Sequence, residues 1–255
     1  MAGAQIPVEL VSSWADDAKD FNFVIAPVSP VFLSQNGFDA LRRGECDVAC
    51  TDRVIDAREL EGFGDRVPIG HRIAYYGYGL YVNQENTVDS IFAGHISMMF
   101  KKQITDWKQL GGSETPIRLY GPLKGSRGGQ LLTLRSGIWF DGPTWEPLET
   151  ADEIVQHVAD DPGGLGFAPI GFDHDTRYLG IRMTRSGPPA WPSLEEIESD
   201  KYGFAKLIYV YALEPLSDNA RLLIEYLQSP DGVAAIESTR LHPVPPDRAV
   251  VHRSR

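Results

Sequence analysis

The chain has 255 residues, 42% of them hydrophobic and 23% charged, and a net charge of −11. This is the balance of an ordinary globular protein long enough for one large or two modest domains. The negative charge argues against a nucleic-acid footprint, which needs a basic face, and no apolar run reaches the roughly 18–20 residues of a membrane span. Taken in order, residues 8–22 have helical spacing (Val8, Val11, Ala15, Ala18), with Pro7 suited to a first helical turn. A short apolar run at 23–28 reads as a strand. A helix follows from about Gly37 to Arg43, then a buried strand at 46–50 that delivers Thr51, Asp52 and Arg53 to its carboxyl end. The aromatic stretch within 69–83 predicts one long strand, with Gly77 and Gly79 as points of bending, able to pass from one lobe to another. The spacing of Ile91, Phe92, Ile96, Met99 and Phe100 predicts an amphipathic helix over 89–100. Next come a strand at 116–121, a Gly-rich turn at 124–129, and helices at 130–138 and 150–159. A strand at 165–170, a second aromatic strand at 207–212, and helices at 217–228 and 230–238 complete the pattern.

Alternating strands and helices predict an α/β fold. The two aromatic strands predict two crossings between two lobes, one made of residues 1–80 plus 207–255 and the other of 81–206. A cleft between such lobes is the default place for a ligand.

Two segments carry chemistry. In an open α/β sheet, ligands sit outside the carboxyl ends of strands, and helix N-termini aim free N–H groups at them. The segment 34–53 supplies both parts: a helix start at Ser34 and Gly37, and an ionisable acceptor, Asp52. That pairing suits a small oxyanion that still carries a proton, although for this segment alone a capping serine beside a turn acid is the plainer reading. The second segment is the turn Lys124-Gly125-Ser126-Arg127-Gly128-Gly129. Strand, Gly-rich turn and helix can gather backbone N–H groups, the Ser126 hydroxyl and Arg127 around one point, a nest for an anion, although for a lone Gly-rich turn a flexible surface turn is the plainer reading. It lacks the Gly-Lys-Ser/Thr ending of a Walker A loop.

Other chemistries find no footing. Cys46 and Cys50 lie on one expected strand, about 13 Å apart, beyond the reach of a disulfide, which needs Cα atoms within about 7 Å. The histidines are dispersed, and Asp173-His174-Asp175 has no second histidine at ligand spacing, so a solvated loop is the better reading and no metal is expected. No nucleophile elbow or Cys-x-x-Cys motif is present, so neither an enzyme nor a cofactor is expected. Met1-Ala-Gly-Ala has no basic region or apolar core of a signal peptide, which taken literally predicts a cytoplasmic protein, the alternative being a mature fragment or a chain cut short at its start.

Several motifs in order resemble the phosphate-binding proteins of ABC importers, the PstS-like branch of type II periplasmic solute-binding proteins. They include Asn36-Gly37-Phe-Asp-Ala-Leu with Gly44-Glu-Cys-Asp-Val-Ala, the strand Ile73 to Asn83, and Phe100 with Ile104-Thr-Asp-Trp and Leu110-Gly-Gly. Ile117-Arg-Leu-Tyr-Gly followed by Gly125-Ser126, Asp161-Pro-Gly-Gly-Leu-Gly-Phe-Ala, and Ser229-Pro-Asp-Gly complete the set. The resemblance implies a two-lobed fold with two crossing strands that closes on inorganic phosphate or a similar tetrahedral oxyanion. Carried over, it implies ligand-binding roles for Ser34, Gly37, Asp52, Gly125, Ser126, Arg127 and Gly128, with Gln5, Ile6 and Lys124 as further candidates. It also implies a monomeric, extracytoplasmic partner of the membrane subunits of an ABC transporter. The alternative is a degenerate member that no longer binds phosphate and serves as a sensory or interaction module.

The chain departs from the family pattern at three points. Pro122 stands where the family often has an arginine, so Lys124 or Arg127 is expected to supply the charge. The loop reads Gly-Ser-Arg-Gly rather than Gly-Ser-Gly-Thr. Gly3-Ala-Gln-Ile-Pro7 resembles the loop after the family's first strand, so that strand is expected to be absent, as is the secretion signal. A carboxylate at Asp52 accepts the proton of phosphate but repels fully ionised sulfate, which predicts selectivity between the two.

Overall fold

The computed structural model describes residues 1–3, 11, 14, 34–123, 125–126, 145–172, 175–248 and 250–251. The helices expected at 8–22 and 130–138 and the strand at 23–28 lie outside these residues, as do Asp173 and His174, except that Val11 and Trp14 are seen to be buried. In chain order the first elements are β1 (Ala2–Gly3), α1 (Ser34–Arg43), β2 (Val48–Thr51), α2 (Ala57–Glu61) and β3 (Val67–Asn83). Then come β4 (Ser90–Phe92), α3 (Ala93–Phe100), β5 (Arg118–Pro122), β6 (Glu146–Leu148), α4 (Ala151–Asp160) and β7 (Gly164–Pro169). The last are β8 (Thr176–Tyr178), β9 (Gly180–Arg182), α5 (Leu194–Glu198), β10 (Ala205–Glu214), α6 (Asp218–Leu227), α7 (Pro230–Ser238), β11 (His242–Pro243) and β12 (Val250–Val251). The α/β class is as the alternation of patterns predicted. Two compact units result: Met1–Tyr76 with Lys206–Arg255, and Gly77–Ala205. The chain passes between them within β3 and again at the start of β10.

In the first unit the strands run β1-β2-β10-β3. β10 is antiparallel to β2, with Val210 opposite Cys50 and Ala212 opposite Val48. These four side chains share one face, because side chains alternate along a strand. They join Ile73, Ala74 and Ile208 in a core closed by Leu223, Ile224 and Leu227 of α6 and Ile236 of α7. Ser217 and Ser229 cap these two helices by accepting N–H bonds from Ala220 and Gly232. The expected loss of the first strand is corrected: Ala2 and Gly3 form β1, paired in parallel with Ala49 and Cys50.

In the second unit β7 pairs with both β3 and β5, and β5 with β6. Helix α4 begins in a capping box, Thr150 with Glu153, and lays Ile154, Val155 and Val158 against Tyr81, Tyr120 and Ala168. Gly77 lies within β3, which is one continuous strand of 17 residues. Its missing side chain serves close approach: a Cβ there would lie 2.4 Å from that of Ala205. The two passages of the chain meet at this point, and Tyr78 N–H donates to the Phe204 carbonyl.

Three further local expectations are corrected. The strand expected at 46–50 is Val48–Thr51, so Cys46 precedes it and only Cys50 lies within it. Both cysteines are free, and burial pushes the Cys50 thiol up to about 12. Helix α1 begins at Ser34, three residues before the expected start. The helix expected over 89–100 is a strand followed by a shorter helix, because Ser90, Ile91 and Phe92 pair with Gly180, Ile181 and Arg182 from a distant part of the chain. Tertiary pairing there overrides an apolar spacing that also fits a helix.

Candidate functional site

Strand β2 is buried throughout, and the chain bends immediately after it, held by the Thr51 hydroxyl donating to the Arg53 carbonyl at 3.0 Å. Asp52 thereby sits at the carboxyl end of the strand beside the first residue of α1. The Ser34 hydroxyl, buried at 5% exposure, donates to Asp52 Oδ1 at 2.8 Å and accepts the Asp52 N–H at 3.2 Å. Helix α1 brings no acidic residue to its first turn, so the positive end of its dipole is not offset by its own side chains. Gly37 is buried one turn further along.

A residue that the sequence reading did not single out completes the cluster. Lys206 Nζ lies 3.2 Å from Asp52 Oδ2. The register explains this reach. The ladder ends with Tyr209 opposite Thr51, so the chain leaves β2 at Asp52 close to the first residues of β10, within reach of the long Lys206 side chain. A signal was present: Lys206 stands at the head of the alternate residues Ile208, Val210 and Ala212 on one face of β10.

Arg53, adjacent in sequence, is turned elsewhere. Its guanidinium makes two bonds to Glu59, at 2.7 and 2.6 Å, and lies 5.2 Å over the Phe38 ring. Glu59 is itself the third residue of α2 and closes a capping box with Asp56. The carboxylate of Asp52 thus has two partners, one on each oxygen, among the described residues. A carboxylate offers about four lone-pair sites, so two remain, on a side chain 27% exposed.

In the second unit β5 leads to Gly125 and Ser126. The Ser126 N–H and hydroxyl both donate to the Leu123 carbonyl, at 2.9 and 2.6 Å, so the turn is closed by its serine. Gly125 is exposed, and no atom of the described residues lies within 4 Å of where a Cβ would stand. Pro122 ends β5, and its carbonyl accepts the Trp145 indole N–H at 3.0 Å. Gln5, Ile6, Lys124, Arg127 and Gly128 lie outside the described residues. Ser34, Gly37 and Asp52 are brought together within the first unit, while Gly125 and Ser126 belong to the second.

That unit contains another built carboxylate, which the sequence reading met only within a motif that carries the family resemblance. Asp161 accepts from Arg118 Nε and Nη2 at 2.7 and 2.9 Å, from the Tyr120 hydroxyl at 2.9 Å, and from the Gly163 N–H at 2.9 Å. Burial pushes its carboxyl up, but the Arg118 guanidinium, the Gly163 N–H and the Tyr120 hydroxyl outweigh that and hold it below the usual range. Among the described residues no group of three or more His, Cys, Asp or Glu side chains is placed to hold a metal ion.

Two α/β units joined by two passages of the chain make the architecture that the resemblance to solute-binding proteins implies. The comparisons agree. The chain belongs to the family described as the PBP superfamily domain, matched over residues 8–231. It is 23% identical over 203 residues to the phosphate-binding protein PstS of Bacillus subtilis (strain 168), covering 78% of this chain and 64% of that relative, less than two thirds of its length. A possible phosphate-binding protein from Planctomyces limnophilus DSM 3776 has a similar structure, with a TM-score of 0.70, 17% identity, and 96% and 92% of the two chains covered. A putative phosphate ABC transporter substrate-binding protein from Clostridium perfringens, solved with bound phosphate, aligns with a TM-score of 0.53 at 18% identity, covering 95% and 98%. The resemblance to PstS-like proteins read from the sequence is borne out, and with it the type II periplasmic-binding-protein-like fold.

Proposed function

We propose that this protein binds inorganic phosphate, or a similar tetrahedral oxyanion, as the substrate-binding component of an ABC-type importer. The observation that carries the reading is the state of Asp52: a half-exposed carboxylate at a strand's carboxyl end, beside a helix start, with lone pairs to spare. A protonated oxyanion supplies the missing donor, and the N–H groups of the helix start supply acceptor-only oxygens with partners. The role is one of binding rather than catalysis. Gly125, Ser126, Arg127 and Gly128, with Gln5, Ile6 and Lys124, remain ligand candidates by family resemblance, while Ser34, Gly37 and Asp52 carry the reading from their own geometry. Work beside membrane subunits, outside the cytoplasm and as a monomer, follows from the same reading. No described helix is long and apolar enough to cross a membrane.

Calorimetric titration with phosphate, sulfate and molybdate tests it. Saturable binding of phosphate, with a rise in melting temperature that grows with phosphate concentration, is expected. No heat and no thermal shift with any of the three anions would overturn the reading and leave the sensory or interaction module in its place.

A further inference from the structure

We propose that Lys206 is a ligand-contacting residue of the Asp52 site and its resident cation, a role that rests on the function proposed above. Two observations lead to it. First, the ammonium is already at the site, 3.2 Å from Asp52 Oδ2, and of the ion pairs among the described residues this one alone involves Asp52. Second, an ammonium carries three donors. One is turned to Asp52, and the side chain remains 43% exposed, so two are left for an incoming oxygen.

The chemistry follows from the charges. A carboxylate alone at the ligand position accepts a proton from the anion but repels the anion's other oxygens. With Lys206 beside it the pair is neutral, and the repulsion between like charges at close range is offset locally. A tetrahedral anion whose hydroxyl donates to Asp52 has three further oxygens, and one turned toward the ammonium accepts from it. Lys206 then bridges carboxylate and ligand. Sulfate, with no proton to give, depends on that bridge more than phosphate does. Lys206 therefore sets how far the site tolerates acceptor-only anions, while Asp52 rewards the protonated one.

The test is calorimetric titration of phosphate and sulfate, at one pH and one salt concentration, into wild type, Lys206→Met, Lys206→Arg, Asp52→Asn and the double variant Lys206→Met/Asp52→Asn. Melting curves show that each variant folds, which is expected because an ion pair this exposed contributes little to stability. Lys206→Met should weaken phosphate by about tenfold or more, the scale of a lost hydrogen bond to a charged group, and sulfate by a larger factor. Lys206→Arg should keep most of the affinity. In the Asp52→Asn background the methionine should still weaken binding. Phosphate affinity of Lys206→Met within about twofold of wild type would overturn the proposal. An effect that vanishes in the Asp52→Asn background would reduce Lys206 to a positioning residue for Asp52 and overturn its contact with the ligand. Absence of phosphate binding by the wild type would overturn the proposed function itself, a result distinct from the other two.

Discussion

Asp52 and Asp161 are both carboxylates at the edge of a strand, each with a cation in contact, yet they are built for opposite ends. Asp161 accepts four bonds, two on each oxygen, which fills the lone-pair capacity of the group. Its side chain is 8% exposed. It ties Arg118 and Tyr120, alternate residues on one face of β5, to the turn that starts β7. Asp52 accepts two bonds and is three times as exposed. A saturated, buried carboxylate fixes a turn and has nothing left to offer a ligand. A half-satisfied one at a helix start can accept another proton without breaking a bond it already makes. On the proposed function, counting acceptor bonds separates a structural acid from a binding one where residue type and neighbouring charge do not.

The largest effect that follows from this contrast falls on stability. Asp161→Ala should lower the unfolding free energy by about 2–4 kcal/mol, because the buried Tyr120 hydroxyl and Gly163 N–H lose their acceptor, at roughly 1–3 kcal/mol each, while Arg118 returns to water. Phosphate affinity should not move. The sign of the pH dependence is also fixed. The folded carboxyl sits below the unfolded value, so the native state binds fewer protons there. Its contribution is full above the unfolded value, about pH 4, and fades as pH falls through the folded one. Denaturation curves between about pH 2.5 and 6 should show this acid loss in wild type and a flatter response in Asp161→Asn. Equal acid sensitivity in both would place the depressed carboxylate elsewhere and remove half of the comparison.

Much of the fold was legible because its signals are local. The inward series Leu207 to Ala212 and the run Ile73 to Val82 could only be strands, and Ser217, Ser229 and Thr150 mark helix starts by their hydroxyls alone. What could not be read depends on residues far apart in sequence. Nothing local shows that Ser90 to Phe92 pairs with Gly180 to Arg182, so the apolar spacing there was read as helix. The site divides in the same way. Ser34 and Asp52 lie 18 residues apart, within one strand–helix unit, and their association follows from topology. Lys206 stands 154 residues from Asp52, and only the β2–β10 register brings it there. Asp161 was hidden for the same reason, since its partners arrive from β5.

A middle-sized effect tests the binding side of the contrast. Asp52→Asn keeps the shape but replaces a pure acceptor with a group that also donates. The preference for phosphate over sulfate should fall by about tenfold, or roughly 1.4 kcal/mol, because the amide no longer rewards the protonated anion and can offer sulfate an N–H. Stability should change by less than about 1 kcal/mol, since the Ser34 hydroxyl can still donate to the amide oxygen and Lys206 returns to water. Anion titrations paired with melting curves measure both. A variant that unfolds as readily as Asp161→Ala, with its anion preference intact, would make Asp52 a second structural acid.

The smallest expected effect belongs to Arg53, the cation nearest to Asp52 in sequence and the obvious rival to Lys206. Its guanidinium is committed to Glu59 by two bonds and rests over Phe38, so its geometry serves the junction of α1 and α2. Removing it leaves the Asp56–Glu59 capping box intact and loses a partly exposed ion pair and a cation–π contact, each worth about 0.5–1 kcal/mol at most in such a setting. Arg53→Ala should therefore cost about 1 kcal/mol of stability, and any change in anion affinity should be a small, uniform one from the lost positive charge, screened by salt. The phosphate-to-sulfate ratio should stay where it is in wild type. That ratio is the informative quantity. A residue that touches the ligand treats a protonated and an unprotonated anion differently, whereas a distant charge treats them alike. A ratio that shifts on Arg53→Ala would bring Arg53 into the site and dissolve the division of labour between the two cations that flank Asp52.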